Sequence, residues 1–139
     1  MTLVVDNSMA LAWTLADEQS ESADVVLDHV MSGGGHVPFI FRAEFANGLT
    51  TATRRGRING ADREQALEFI ETLRLMHDLP DPENVKEAVR LADAHLLTVY
   101  DALYLELAWR KRLPLATFDR KLSAAAQSAG VALTLRLDE

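Results

Sequence analysis

The chain has 139 residues, 48% hydrophobic and 25% charged, with 14 basic and 21 acidic residues giving a net charge of −7. This is a globular composition at the size of one domain, 1–139, with a single core, and its acidity counts against nucleic-acid binding by bulk electrostatics, leaving local basic patches or cations held by its own acids. The lack of cysteine excludes disulfides and thiolate zinc sites, and no segment is apolar for the ~18 residues that a membrane span needs.

The elements follow in chain order. Leu3-Val4-Val5 is a continuous apolar run that suits a strand covered on both faces. Asp6 ends it, and with Asn7 and Ser8 it offers caps for a short apolar helix over Met9–Trp13. Asp6 also interrupts the N-terminal apolar run, which argues against a signal peptide and for a cytoplasmic protein. A polar loop over 17–22 opens a second helix, with Ala23, Val26, Leu27 and Val30 at helical spacing and Gly33-Gly34-Gly35 as its stop. His36-Val37-Pro38 reads as a second strand. A helix from Phe39 to about Arg57 follows, with Phe45, Ala46, Leu49 and Ala52 on its apolar face and Glu44 off it.

Asn59-Gly60 marks a turn, and a helix over about 61–75 carries an apolar stripe at 66, 67, 69, 70 and 73. Met76–Leu79 is a weak strand before Pro80-Asp81-Pro82. A helix over about 83–97 shows Val85, Ala88, Val89 and Ala92 on one face. Ala102–Trp109 is apolar nearly all round, the mark of a buried helix, and Arg110-Lys111-Arg112 close it against the negative helix end. A strand within 113–118 ends at Asp119. A helix with Leu122, Ala125, Ala126 and Ala129 stops at Gly130, and 131–135 forms the last strand. Strands alternating with helices predict an α/β fold, a mostly parallel sheet between two helical layers with right-handed crossovers.

Three acids share one kind of place. Asp6, Asp101 and Asp119 each stand just before a helix, and Glu44 opens the helix after the second strand. In a parallel sheet these points fall on the edge where ligands gather. Singly, an aspartate there is ordinarily an N-cap, and Glu44 a solvated first-turn residue that suits the helix dipole. Together they are different, because two carboxylates about 4 Å apart repel by ~4 kcal/mol at an effective dielectric of 20. Four can meet only if some are protonated or a cation neutralises them. Oxygen ligands of this kind select Mg²⁺ or Mn²⁺, and the reaction class is metal-assisted phosphodiester hydrolysis.

Ser8 and Thr117 are hydroxyls beside two of the acids, placed to orient the site or simply to cap and pair. Arg42, Arg54, Arg55 and Arg57 flank Glu44, and Arg110, Lys111, Arg112, Arg120 and Lys121 lie near the other acids in sequence. They could hold a nucleic-acid backbone or be solvated helix ends. His29, His36, His77 and His95 lack metal-ligand spacing. Trp13, Trp109, Tyr100 and Tyr104 read as core or interface. A phosphatase with its acid on the first strand needs a second aspartate at position 8, which is Ser8, and a receiver domain needs a lysine near the last strand, where none follows Lys121.

The segment Val4–Trp13 resembles the opening of PIN domains, in particular VapC-type toxin ribonucleases. Val37-Pro38 with Glu44-Phe-Ala-Asn-Gly-Leu resembles their second motif, Thr98-Val-Tyr-Asp101-Ala-Leu-Tyr-Leu the third, and Leu115-Ala-Thr-Phe-Asp119-Arg-Lys-Leu the fourth. Asn7 stands where that family more often has a small residue or threonine. The resemblance implies a three-layer α/β/α sandwich with a five-stranded parallel sheet. It implies one or two Mg²⁺ or Mn²⁺ ions held by Asp6, Glu44, Asp101 and Asp119, and RNA cut by a metal-activated water. It also implies a homodimeric toxin inhibited by a small antitoxin protein that enters between the early helices. The alternative is a PIN-like module that binds or regulates and no longer cuts.

Overall fold

The computed structural model describes residues 2–134. Four short strands are threaded among helices: β1 (Val4–Val5), β2 (Gly35–Val37), β3 (Leu75–His77) and β4 (Leu115–Ala116). The helices are α1 (Asn7–Thr14), α2 (Glu21–Gly33), α3 (Phe41–Arg54), α4 (Gly60–Thr72), α5 (Pro82–His95), α6 (Val99–Lys111) and α7 (Arg120–Ala129). The sheet order is β3-β2-β1-β4 and every pairing is parallel. Val4 sits opposite both His36 and Leu115, and Val5 opposite Ala116, so β1 is covered on both edges. Val4 and Val5 are fully buried, as the apolar run requires.

Topology then decides the layers. The chain steps from β1 to β2 to β3 in one direction and returns across the sheet to β4. Right-handed crossovers place α1–α4 on one face and α5–α7 on the other. The contacts agree: α1 packs on α2 and α3, and α3 on α4, while α6 packs on α5, α7, β1 and β4. This is the three-layer α/β/α sandwich. The core of the first face comes from Met9, Trp13, Val26, Phe41, Phe45 and Leu49, with the Phe41 and Phe45 rings stacked at 5.8 Å. Helix α6 is buried from Ala102 to Ala108, as its apolar circumference demands.

Two expectations are corrected. The fifth strand at 131–135 is, among the described residues, a single parallel bridge between Leu115 and Leu133; residue 135 lies outside them. Helix α6 begins at Val99, capped by the Thr98 hydroxyl, so Asp101 lies inside its first turn rather than ahead of the helix. Of the four large aromatics read as core or interface, Trp13 and Tyr104 are core residues, while Tyr100 and Trp109 are 61% and 54% exposed.

Glycine matters at two places. Gly34 ends α2 at φ +77° with its Cβ position 3.0 Å from the Arg74 carbonyl, so neither the angle nor the space admits a side chain. Gly48 lies mid-helix in α3, and a Cβ there would stand 2.9 Å from Leu11 Cδ1. Its missing side chain lets α1 and α3 approach closely, and these two helices carry Asp6 at the cap of one and Glu44 in the first turn of the other.

Candidate active site

Asp6 leaves β1 and caps α1, accepting the Met9 amide at 3.0 Å. It is 4% exposed. Ser8 Oγ donates to its Oδ1 at 2.7 Å, and the Thr117 hydroxyl donates to its Oδ2. The same two hydroxyls tie down the loop after β4: Ser8 Oγ accepts the Phe118 amide at 2.9 Å and Thr117 Oγ1 accepts the Asp119 amide at 2.9 Å. Asp119 caps α7 through the Leu122 amide at 2.8 Å. Capping and site-building are thus the same act at Asp6 and Asp119. Ser8 and Thr117 link the ends of β1 and β4, which are neighbours in the sheet.

Glu44 stands in the first turn of α3, half-buried, with Tyr104 Oη donating to its Oε1 at 2.6 Å. Asp101 lies in the first turn of α6, one turn before Tyr104 on the same helix face. Electrostatically, Asp101 couples to each of the other three. Burial pushes Asp6 up from 3.8 to about 7, against the pull of its three donors, and the Asp101 charge adds to the rise. Burial also raises Glu44, opposed by the Tyr104 hydrogen bond and reinforced by Asp101. Asp101 is itself raised, first by burial and then by Asp119, while the Thr98 hydroxyl and Lys121 act the other way. Burial and then the Glu44 charge raise Tyr104 far above its ordinary value, so it stays a donor.

Asp101 is therefore the hub, felt by Asp6 and Glu44 and feeling Asp119. Among the described residues no three acids or histidines stand close enough to grip an ion as they are. Seven other acids keep different company, each paired with a cation. Arg42 pairs with Glu71, Arg57 with Asp17 and Glu18, Lys86 with Glu83, Arg90 with Glu87, and Arg110 with both Asp78 and Glu106. The hydrogen bonds that hold Asp6, Glu44 and Asp119 come from hydroxyls and backbone amides, which fix a carboxylate without neutralising it. An all-oxygen donor set of carboxylates suits a hard divalent cation, which commonly takes one or two carboxylates and keeps several waters.

The pairs also thin the list of bases available for a nucleic-acid backbone, because Arg42, Arg57 and Arg110 are committed to acids. Two residues escaped the sequence reading. Tyr104 passed as core, although its spacing of three from Asp101 is a helix-face signal. Thr98 fixes the Asp101 amide at 3.1 Å; a threonine three residues before an aspartate is a cap pattern.

The sequence matches the family model described as PIN domain over residues 3–127. The chain belongs to the PIN domain family. This PIN domain is 34% identical over 127 residues to Ribonuclease VapC3 of Pyrobaculum aerophilum, covering 88% of this chain and 93% of that protein. It is 32% identical over 126 residues to Ribonuclease VapC9 of Mycobacterium tuberculosis, covering 91% and 92%. Its fold is similar to the crystal structure of PAE2754 from Pyrobaculum aerophilum, with a TM-score of 0.69, 26% identity and coverage of 90% of this chain and 87% of that one. FitAcB from Neisseria gonorrhoeae shares the fold at a TM-score of 0.64 and 21% identity over 96% of each chain. No helix among the described residues of this PIN domain is long and apolar enough to cross a membrane.

Proposed function

We propose that this PIN domain is a Mg²⁺- or Mn²⁺-dependent endoribonuclease, the toxin of a toxin–antitoxin pair. What supports the reading is the electrostatic link of Asp101 to Asp6, Glu44 and Asp119, four acids that stand at separate helix starts. Relatives named as VapC ribonucleases at 32–34% identity support the substrate class. Asp6, Asp101 and Asp119 would hold the cation directly and Glu44 directly or through water. When bound, such an ion supplies charge neutralisation and activates water for attack on a phosphodiester.

The chain's own contribution is orientation. Ser8 and Thr117 each bind Asp6 and a backbone amide of the 117–119 loop, so Asp6 and Asp119 keep one spacing. Burial keeps Asp6 protonated up to about 7 when nothing balances its charge, so cation entry would displace a proton there. In the cell the protein would act in the cytoplasm as a homodimer restrained by a small antitoxin protein. The test is incubation of the purified chain with a panel of RNAs, with Mg²⁺ and with chelator. Cleavage that persists in chelator, or in Asp6→Asn with Mg²⁺, removes the metal role. The absence of a ready-made ion cage among the described residues is the one observation that suits a silent binding module; Mn²⁺ titration by calorimetry separates the two, because a module that only binds protein need not take up the ion.

A further inference from the structure

We infer that Tyr104 is a positioning residue for the site: its buried hydroxyl sets the Glu44 carboxylate in the orientation that receives the cation. The inference rests on the metal-site reading above. Glu44 carries three rotatable side-chain bonds and stands half-buried in the first turn of α3. Tyr104 is the opposite, 1% exposed and locked in the core of α6. The 2.6 Å bond from its Oη to Glu44 Oε1 spans 60 residues of sequence and joins α3, in one helical layer, to α6, in the other. Packing alone would be served by phenylalanine; the hydroxyl needs a partner once buried, and its partner is a site acid.

The donor's chemistry matters as much as its place. An arginine at this point would hold Glu44 and cancel its charge, as Arg110 does for Glu106 and Asp78. A phenol holds it and leaves the charge for the ion. Asp101 sits three residues before Tyr104 on α6, so one helix face presents one acid and fixes another. Rotation or fraying of α6 would displace both together. Partners in this outer position orient metal-binding carboxylates and are commonly worth 10–100-fold in affinity or activity.

The experiment measures Mn²⁺ binding by calorimetry, and RNA cleavage kinetics, on the full chain as wild type, Tyr104→Phe, Glu44→Gln and the double variant. Tyr104→Phe keeps the ring and is expected to bind Mn²⁺ about tenfold more weakly and to lose a similar factor in kcat, with KM for RNA unchanged. The double variant is expected to be no weaker than Glu44→Gln alone, because Tyr104 acts through Glu44. Wild-type Mn²⁺ affinity in Tyr104→Phe, or losses that add in the double variant, overturns the positioning role and leaves the metal site standing. No Mn²⁺ binding by the wild type overturns both. If Tyr104→Phe does not fold, 3-fluorotyrosine at 104 gives the answer by fluorine NMR. Addition of Mg²⁺ should shift its resonance in the wild type and not in Glu44→Gln, and an unmoved wild-type resonance rejects the role.

Discussion

Replacing Asp6 by asparagine should make the metal-free protein more stable while destroying its site. Asp6 is 4% exposed and its carboxyl titrates at about 7 instead of 3.8. Below 3.8 both folded and unfolded chains hold the proton. Between 3.8 and about 7 only the folded chain does, so stability falls as pH rises through that window; above it the loss levels out. The difference of 3.2 between about 7 and 3.8 converts, at 1.36 kcal/mol per pH unit, to roughly 4 kcal/mol as a ceiling. Asparagine imitates the protonated form in size, and the Ser8 and Thr117 hydroxyls can turn to accept as well as donate. Half the ceiling would still raise Tm at pH 8 by about 5–10 °C for a chain of this length. The assay is thermal melting in chelator from pH 4 to pH 8 for wild type and Asp6→Asn. The two curves should meet near pH 4 and separate up to about pH 7. An Asp6→Asn protein that is no more stable at pH 8, or a gap that does not change with pH, refutes the claim that an uncompensated buried charge sits at this position.

Three further outcomes follow from the same structure. At pH 8, Mg²⁺ or Mn²⁺ should raise the wild-type Tm, by the equivalent of about 2.7 kcal/mol at a hundred times Kd, and leave Asp6→Asn nearly unmoved; differential scanning calorimetry with and without the ion decides this. Arg110→Met should destabilise by about 3–5 kcal/mol in urea melts, because Glu106, with a side chain 3% exposed, and Asp78 lose their shared cation. Gly48→Val should cost about 1–3 kcal/mol, since its side chain would press on Leu11 where α1 and α3 meet. The same change should weaken Mn²⁺ binding by moving Glu44 relative to Asp6; a stable Gly48→Val protein with unchanged affinity would mean that this helix contact does not set the site.

Much of this protein was written in local pattern. The apolar Leu3-Val4-Val5 run, the helical stripes over 23–30 and 66–73, and the nearly all-apolar circumference of 102–108 placed strands and helices, because burial on one face, or on almost every side, leaves a period in the sequence. Alternation of strands and helices fixed a parallel sheet between helical layers, since chirality allows one hand of crossover. Element ends were less legible. Residues 98–101 read as a lead-in to a helix, yet the Thr98 cap draws Asp101 into its first turn. Residues 131–135 looked like a full strand, and within the described residues only the Leu133 bridge forms.

What only the tertiary structure decided is which distant groups face each other. The sequence placed Asp6, Glu44, Asp101 and Asp119 at ends of elements, but not the strength with which each feels Asp101, nor the company they keep. Glu106 is buried in α6 against Arg110 four residues on, a pairing that helix spacing allows, but only the fold brings Asp78, 32 residues before Arg110, to the same cation. Tyr104 was visible as a core aromatic, but its hydroxyl's partner lies 60 residues off on another layer. Periodicity records which side of a helix is dry and nothing about what waits there. Desolvation and Coulomb forces depend on distance through space, and that distance exists only once the sheet has brought the ends of β1 and β4, and the starts of α3 and α6, to one rim.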